Sequence, residues 1–286
     1  MNKPLLTTYR ALRTLSHRTY TVPRNSEVPM SPRLLLTLSA AVLCFAGTAR
    51  ADPAAEGLAI AERCEKANAG FGSEQSTLEM VLINAGGDRV KRKLIMASIE
   101  LDEGDRSLLT FERPRDIAGT KLLTHARAGK SDRQWLYLPA LRRVKRISSR
   151  NQSGAFMGSE FAFEDLGAQD VAKYTWTLDG EESLDGRTVW KLTRVPTSKR
   201  SGYSKQVVWM DQQYKQPLRI AFYDRKQALL KTLTAKGFER HGKWWRPAEL
   251  EMVNHQTHKK SILKWAEREL EADLDEDEFE KDALED

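Results

Sequence analysis

The sequence predicts a mainly β protein, with one helix ahead of a single curved antiparallel sheet. From residue 73 onward, short segments of alternating or of β-branched and aromatic residues recur at roughly ten-residue spacing, which is typical of strands. Turn residues separate these segments, and a helical pattern occurs only once, before them. Thirteen strand candidates make too wide an open sheet to stay flat, so the sheet must curl or split into two packed sheets.

The composition of the 286 residues excludes several other classes of protein. With 40% hydrophobic and 30% charged residues, the chain is neither collagenous nor wholly disordered. It contains no run of about 18 apolar residues, which excludes a multi-spanning membrane protein. Two cysteines cannot form a disulfide-dense scaffold.

The N-terminal segment is predicted to be a cleaved secretory signal peptide over residues 30–51. Arg33 precedes an apolar run over 34–45, and the sequence Ala49-Arg50-Ala51 follows. A basic start, a short apolar run and an A-x-A site are typical of signal peptides, so we expect export and cleavage after Ala51. The alternative, a membrane anchor, would need a longer apolar run.

The formal charge of +6 is concentrated in this leader. Residues 1–29, which we interpret as an upstream mis-start, and the signal peptide together contain seven basic residues and one acidic residue, so the chain after Ala51 is neutral. Residues 266–286 carry twelve acidic and two basic residues, which leaves the body, 52–265, with 37 basic and 27 acidic residues. We expect the acidic tail to be a solvated terminus; the alternative is that it folds over the basic body.

The one helix is predicted to begin at Pro53 and to stop at Gly70, because proline suits a first turn and glycine a helix end. Leu58, Ala61 and Cys64 repeat at i, i+3 and i+6 and form its predicted buried face. Cysteine 64 is the one cysteine outside the leader, and in this pattern it is expected to be a small buried apolar side chain.

The strands follow the helix, each predicted from its own apolar run. Asn84-Ala85-Gly86-Gly87, Asp179-Gly180 and Asp185-Gly186 are among the turns that separate them. The predicted strands lie near residues 75–84, 88–102, 105–112, 119–126, 133–138, 141–147, 173–180, 187–195, 204–211, 217–224, 229–239, 244–255 and 258–265.

A long connection, residues 148–170, interrupts the series of strands. Connections longer than about 15 residues are usually functional or disordered, and this one is too apolar for a solvated linker. We expect it to cover an apolar surface, either as a movable lid over residues 148–167 or as a plug that completes the core. Gly154, Gly158 and Gly167 are plausible hinges for the lid.

No motif in the sequence specifies an enzyme. Gly129-Lys130-Ser131 resembles the end of a phosphate-binding loop, but Thr124 stands where the first glycine is needed and a strand follows instead of a helix, so it predicts a hairpin turn. A Gly-x-Ser-x-Gly nucleophile elbow is absent from the sequence.

The densest basic run is expected to be a solvated rim or an anchor for phosphate-bearing lipid head groups or an acidic partner. It consists of Arg142, Arg143, Lys145 and Arg146, flanking Val144. An exported protein rarely meets nucleic acid, so a nucleic-acid surface is the weaker interpretation of this run.

Four segments of the chain resemble a known family. They are Phe111-Glu112-Arg113-Pro114-Arg115-Asp116-Ile117-Ala118-Gly119-Thr120-Lys121-Leu122-Leu123, residues 134–147, Phe156-Met157-Gly158-Ser159 and Phe163-Glu164-Asp165-Leu166. In order and spacing they resemble the bacterial outer membrane lipoprotein-sorting proteins, which are related to the LolA and LolB lipoprotein carriers. The likeness extends from about Gly57 to Leu284.

This resemblance implies a half-open β-barrel of about eleven strands around a hydrophobic cavity that receives acyl chains. It also implies a periplasmic location, often alongside lipid exporters of the RND type. The predicted function is therefore a non-catalytic, monomeric carrier of a lipid or lipoprotein, without cofactor, metal or nucleic acid. The candidates for the cavity and its cover are Trp135, Tyr137, Phe156, Met157, Phe161 and Phe163.

Two other functions remain open. A protein-interaction module docking on a transporter would have a solid core, and a lipid-modifying hydrolase would need a buried cluster of carboxylate and histidine side chains. A cavity with an apolar lining favours the carrier. The phase of residues 133–138 is also open: if Trp135 and Tyr137 face inward, Leu136 and Leu138 face outward.

Overall fold

The computed structural model describes residues 52–285, and the predicted leader lies outside this range. It contains one α-helix, α1 (Pro53–Asn68), and thirteen strands. These are β1 (Ser73–Ile83), β2 (Arg89–Ile99), β3 (Arg106–Arg113), β4 (Lys121–His125), β5 (Arg133–Leu138), β6 (Arg143–Ile147), β7 (Tyr174–Leu184), β8 (Arg187–Pro196), β9 (Tyr203–Asp211), β10 (Pro217–Asp224), β11 (Leu229–His241), β12 (Trp244–Asn254) and β13 (Lys260–Leu270). All thirteen predicted strands are confirmed.

The strands form one antiparallel sheet that is not closed, as predicted, with two strands more than the family resemblance implies. Its order is two meanders, β1 to β6 and β7 to β13, joined where β1 pairs with β13. The strands do not follow chain order throughout, because β6 and β7 are consecutive in sequence but lie at opposite edges of the sheet. The connection between them, residues 148–173, has to cross from one edge of the sheet to the other.

Helix α1 begins as predicted, with Asp52 as N-cap accepting a hydrogen bond from the Ala54 N–H, and its backbone packs directly on β7. A Cβ at Gly57 would lie 2.6 Å from the Leu178 nitrogen, so only glycine permits this approach. Ala61 and Cys64 are buried as predicted, but Leu58 is exposed and Ile60 takes its place.

Within residues 52–285, no helix has the length and apolar character needed to span a membrane.

The two faces of the sheet bury different apolar rows, because successive side chains point to opposite faces. On the inner face, Met96, Leu109, Leu122 and Leu136 lie opposite one another across β2 to β5, and α1 and the 148–173 connection cover this face. On the outer face, the corresponding row is Ala97, Leu108, Leu123 and Trp135.

The C-terminal segment covers that outer row, so the expectation of a solvated terminus is wrong. Strand β13 continues to Leu270, and two 3-10 turns follow at Glu276–Phe279 and Asp282–Leu284. Phe279 and Leu284 are completely buried against the outer face, while most of the acids around them are exposed. His125 Nε2 donates to the Phe279 carbonyl at 2.7 Å, and Arg106 pairs with Glu280, which fixes the segment in place.

Candidate functional site

An apolar cavity of about 220 Å³ lies on the inner face, between strands β9 to β13 and the 148–173 connection. Phe161 and Leu166 of the connection cover it, and its floor is almost entirely apolar. The floor side chains are Tyr203, Gln206, Pro217, Ile220, Phe222, Leu233, Ala235, Pro247, Leu250, Met252 and Leu263.

A larger cavity of about 570 Å³ lies beside the first, under the C-terminal end of α1. The two cavities share Gln169, Gln216, Pro217 and Ile220 in their walls, so they adjoin each other. The larger cavity has an apolar part formed by Trp176, Val208 and Met210, and charged side chains also line it. The inner face therefore contains adjoining apolar space under both of its covers, the helix and the connection.

Polar contacts tie the connection to the sheet at the edge of the smaller cavity. Asp165 accepts from Lys231 Nζ at 2.6 Å and from Tyr203 Oη at 2.7 Å. Lys231 also donates to the Glu160 carbonyl at 2.8 Å, and the side chains of Lys231 and Asp165 are each only 5% exposed. We call the contacts of Asp165 with Lys231 and Tyr203 the latch, because these contacts hold the cover of the cavity in place.

The neighbouring Glu164 extends the contacts of the latch to the turn between β8 and β9. Its carboxylate accepts from Ser201 Oγ at 2.8 Å and from the Gly202 N–H at 2.9 Å. Burial nevertheless raises the pKa of Glu164 above its ordinary value, because desolvation outweighs these hydrogen bonds. Burial, and secondly the charge of Asp165, likewise raise the pKa of Tyr203 well above its usual range, so this phenol is neutral in the latch.

Replacing Glu164 by glutamine is expected to raise the melting temperature by more at about pH 7 than at about pH 3.5. A carboxyl group whose pKa is higher in the folded state loses folding stability as the pH rises through that window, because the folded state has to release a proton that it binds more tightly. Glutamine does not titrate, and the Ser201 hydroxyl can rotate to accept from its amide. Calorimetry at both pH values measures the difference.

The matched control for this prediction is Glu62→Gln, on the exposed side of α1. Its side chain is exposed, so we expect Glu62→Gln to change the melting temperature little. A Glu164→Gln effect that is independent of pH would contradict the prediction.

A buried arginine holds the end of the connection over the cavities. Arg194 Nε donates to Gln206 Oε1 at 2.7 Å and Arg194 Nη2 donates to Gln169 Oε1 at 2.8 Å, while the guanidinium stacks 4.2 Å above the Tyr174 ring. Burial lowers the pKa of Arg194 from its ordinary value. Because Gln169 lines both cavities, this arginine fixes part of the wall between them.

The structure separates the six apolar candidates into three groups. Phe161 lines the smaller cavity and covers it. Phe156 stacks on Phe111 at 5.6 Å between ring centroids and meets Phe163 edge-on at 5.5 Å, so these two candidates pack into the core. Met157 packs partly buried against the same core, and its carbonyl accepts from Arg92 Nη1 at 2.6 Å. The connection is thus a plug at Phe156 and a cover at Phe161.

Trp135 and Tyr137 lie on the outer face, under the C-terminal segment. Their placement at the cavity is therefore wrong; Leu136 and Leu138 of the same strand face inward instead. Trp135 meets His125 edge-on at 5.0 Å, and Tyr137 packs near Lys121. Strand alternation fixed the pairs that share a face but not which face carried the cavity.

The four basic candidates lie in and just before β6, one edge of the sheet. Arg142, Arg143, Lys145 and Arg146 are all exposed and line neither of the two cavities. Charged side chains on an edge strand prevent pairing with the edge of another chain. This accounts for their position, and their contact with a partner or head group remains a prediction.

Sequence reasoning missed Lys231, Tyr203 and Arg194. Lys231 was the one of these with a visible signal, because it stands in an inward-facing row of β11 whose next two members, Leu233 and Ala235, are apolar. A lone lysine at a core position needs a buried partner. The sequence could not identify that partner, Asp165, which lies 66 residues earlier.

Comparison with known proteins identifies the fold and the family of this chain. A domain from Vibrio parahaemolyticus described as an outer membrane lipoprotein-sorting protein is 44% identical, with a TM-score of 0.80, over 82% of this chain and 100% of that one. The chain belongs to the outer membrane lipoprotein-sorting protein family. A family model described as an uncharacterized protein also matches residues 103–286.

Two further solved structures are similar to this chain. A DUF1329 family protein from Desulfovibrio piger is 30% identical, with a TM-score of 0.78, over 82% of this chain and 99% of that one. A LolA superfamily protein from Nitrosomonas europaea is 20% identical, with a TM-score of 0.65, over 79% of this chain and 98% of that one, and indicates a shared fold only. No curated protein matches the chain.

Proposed function

We propose that this protein is a non-catalytic periplasmic carrier that holds an acyl chain of a lipid or lipoprotein in the inner-face cavity. The observation that carries the proposal is the apolar cavity under Phe161, closed by a connection that polar contacts hold down. Its family membership and its resemblance to lipoprotein-sorting domains support a role in transfer toward the outer membrane. In this proposal the signal peptide delivers the protein to the periplasm.

The size of the cavity fits a closed carrier that must open further to load. A cavity of about 150 Å³ accommodates a benzene molecule, so the smaller cavity, at about 220 Å³, has room for a short stretch of hydrocarbon. The adjoining larger cavity, at about 570 Å³, extends that space toward α1. A longer chain would occupy both cavities if the wall between them moved.

The energetics of hydrocarbon burial determine how such a carrier works. Each buried CH₂ group contributes about 0.8 kcal/mol, so a long acyl chain would leave for water very slowly. Cargo must therefore pass directly to an acceptor or membrane, and loading needs a partner. An RND-type exporter is the proposed partner for loading.

The alternatives have less support. A docking module with a solid core does not need the adjoining apolar cavities. For a hydrolase, neither of the two cavities is lined by a histidine, and the two carboxylates of the smaller cavity, Asp165 and Glu164, are bound by Lys231, Tyr203, Ser201 and the Gly202 N–H.

The proposal is tested by native mass spectrometry of protein purified gently from its own periplasm. We expect about one lipid per chain in the wild type and a clearly lower occupancy in the cavity-filling variant Ala235→Trp, because displacing two CH₂ groups costs about 1.6 kcal/mol, which lowers the affinity for lipid by more than about tenfold. Ala235 lines the cavity, whereas Ala266 on β13 is exposed, so Ala266→Trp is the matched control. Absence of any amphiphile from the wild type, even after incubation with membranes, would refute the proposal.

A second pair of variants tests the cover. Phe161→Asp should reduce lipid uptake more than Arg143→Ala, because Phe161 lines the cavity and Arg143 is exposed on the edge strand. Equal lipid loading of both variants would contradict the assignment of Phe161 to the cover of the cavity.

A further inference from the structure

A third cavity, polar and about 310 Å³ in volume, lies on the other side of Glu164 from the apolar cavity. Glu164 and Tyr174 belong to the walls of both, so the two cavities adjoin through these side chains. Loops and strand ends build the polar cavity, and its lining is rich in hydroxyl and basic groups. The hydroxyl residues are Ser131, Ser149, Tyr174, Thr197, Ser198 and Ser201.

The acids of this polar cavity are already bound. Asp132 accepts from Lys173 Nζ at 2.6 Å and from the Ala168 N–H at 3.0 Å. Glu164 accepts from Ser201 Oγ and the Gly202 N–H, as described above. Neither carboxylate is therefore free to bind a cationic ligand.

Two of the bases have no such partner. Among residues 52–285, neither Lys130 nor Arg200 is in an ion pair. Arg200 Nη1 donates to Ser149 Oγ, and the Arg200 carbonyl accepts from Arg225 Nη2 at 3.0 Å, which holds this turn in place. The cavity thus presents a lysine ammonium, a guanidinium and several hydroxyl donors with no unpaired acid.

We infer that the polar cavity binds the phosphate of an amphiphile whose acyl chain occupies the adjoining apolar cavity. The inference rests on the proposed function and names the class of cargo: a lipid with a phosphate-bearing head group. A guanidinium and an ammonium are the groups that bind phosphate oxygens best, and hydroxyl groups complete the hydrogen bonds. Glu164 and Tyr174 form the wall between the two cavities, so one molecule reaches both when these two side chains move aside.

The test compares two amphiphiles with the same oleoyl chain, oleoyl lysophosphatidic acid and monooleoylglycerol, which differ in the phosphate. Isothermal titration below the micelle-forming concentration gives both dissociation constants. We expect the wild type to prefer the phosphate amphiphile about tenfold or more, since two charge-assisted hydrogen bonds contribute more than 1.4 kcal/mol together. The variant Lys130→Ala/Arg200→Ala should lose this preference and keep its affinity for monooleoylglycerol.

The matched control is Arg142→Ala/Arg143→Ala, which removes two exposed positive charges at the β6 edge. It should retain the preference, which separates a built site from general attraction of anions. Loss of the preference in the control, or its persistence in Lys130→Ala/Arg200→Ala, would overturn the inference.

A third titration, with inorganic phosphate alone, distinguishes a head-group site from a site for free phosphate. We expect no binding at the concentrations that saturate the amphiphile, and binding of similar strength would assign the cavity to free phosphate and overturn the head-group assignment. Equal affinity of the wild type for both amphiphiles would contradict the phosphate site and would not contradict the proposed carrier function. Binding of neither amphiphile would count against the carrier itself.

Discussion

Replacing Lys231 by methionine is expected to lower the free energy of unfolding by about 3–5 kcal/mol, because it leaves the buried Asp165 carboxylate without its cation. Both side chains are only 5% exposed, and Lys231 Nζ lies 2.6 Å from Asp165 Oδ2. Methionine has a similar length and packs well, so the loss comes from the unpaired charge and not from a cavity. Urea denaturation of wild type and variant measures this difference.

The control on the same strand is Lys236→Met. Lys236 pairs with Glu249 at 3.5 Å and Glu251 at 3.2 Å, but its side chain is 47% exposed. Exposed pairs contribute at most about 1 kcal/mol, so this variant should change stability little. Similar losses in both variants would show that the latch lysine is no more important than a surface lysine.

The double variant Lys231→Met/Asp165→Asn isolates the charge. In the native protein the Ala162 N–H donates to Asp165 Oδ2 at 2.7 Å, and Tyr203 Oη donates to Asp165 Oδ1. The side-chain oxygen of asparagine can still accept one of these hydrogen bonds. Asparagine also leaves no unpaired charge in the core. We therefore expect the double variant to be more stable than Lys231→Met alone, with a coupling energy of roughly 1–3 kcal/mol. Additive losses would mean that the two groups act independently.

Hydrogen exchange adds a local readout for the same variants. If the latch holds the cover, Lys231→Met should speed exchange at residues 154–167 more than in α1, because local opening follows from loss of local contacts. The Phe156 N–H to Phe161 carbonyl bond, at 2.7 Å, lies within this segment and reports its opening. A uniform increase over the whole chain would instead indicate global destabilisation only.

The strands could be predicted from the sequence because each is a local pattern. The pairing of β1 with β13 could not, since it joins segments almost 190 residues apart and depends on which edges meet after the sheet curls. That pairing is what places β6 and β7 at opposite edges and forces residues 148–173 across the inner face. Length and apolar content predicted a cover, and the topology explains why a cover has to be there.

The candidate site was predictable only in part. Phe161 could be predicted because an apolar side chain in a long connection needs a surface to cover. Trp135 and Tyr137 were misplaced because the sheet buries both of its faces in this region, and alternation alone cannot tell an inner face from an outer one. The side chains that bury the outer face are Leu274, Phe279 and Leu284 of the C-terminal segment. They recur every five residues among acidic residues, a spacing that is typical of neither a helix nor a strand, so this cover could not be predicted from periodicity.

Replacing Phe279 by alanine is expected to lower the free energy of unfolding by about 3–5 kcal/mol, as for other fully buried aromatic side chains. Phe279 is completely buried with Leu123, Leu284 and Trp135 on the outer face. Leu284→Ala should cost about 2–5 kcal/mol for the same reason. Leu141, which is 68% exposed, is the control, and Leu141→Ala should stay within about 0.5 kcal/mol of the wild type.

Ending the chain after Ala272 tests the cover of the outer face directly. This truncation keeps β13 and the Ser73 Oγ bond to the Ala272 carbonyl, at 2.6 Å, but removes both buried anchors. Trp135, Tyr137 and Leu123 would then be exposed to water, so the truncated protein should bind a hydrophobic dye and associate with itself. A truncated protein that stays monomeric, without dye binding, would mean that the C-terminal segment is dispensable.

Measurements of lipid occupancy distinguish the role of the inner face of the sheet from that of the outer face. The apolar cavity is lined by inner-face strands, the 148–173 connection and Gln216 of the turn before β10, and the C-terminal segment contributes no residue to it. The Phe279→Ala variant, measured where it is still folded, should therefore keep the lipid occupancy of the wild type, whereas Ala235→Trp loses occupancy. If the fully folded Phe279→Ala variant lost its lipid, the outer face would take part in lipid binding. Trp135 and Tyr137 would then again be candidates for contact with the lipid.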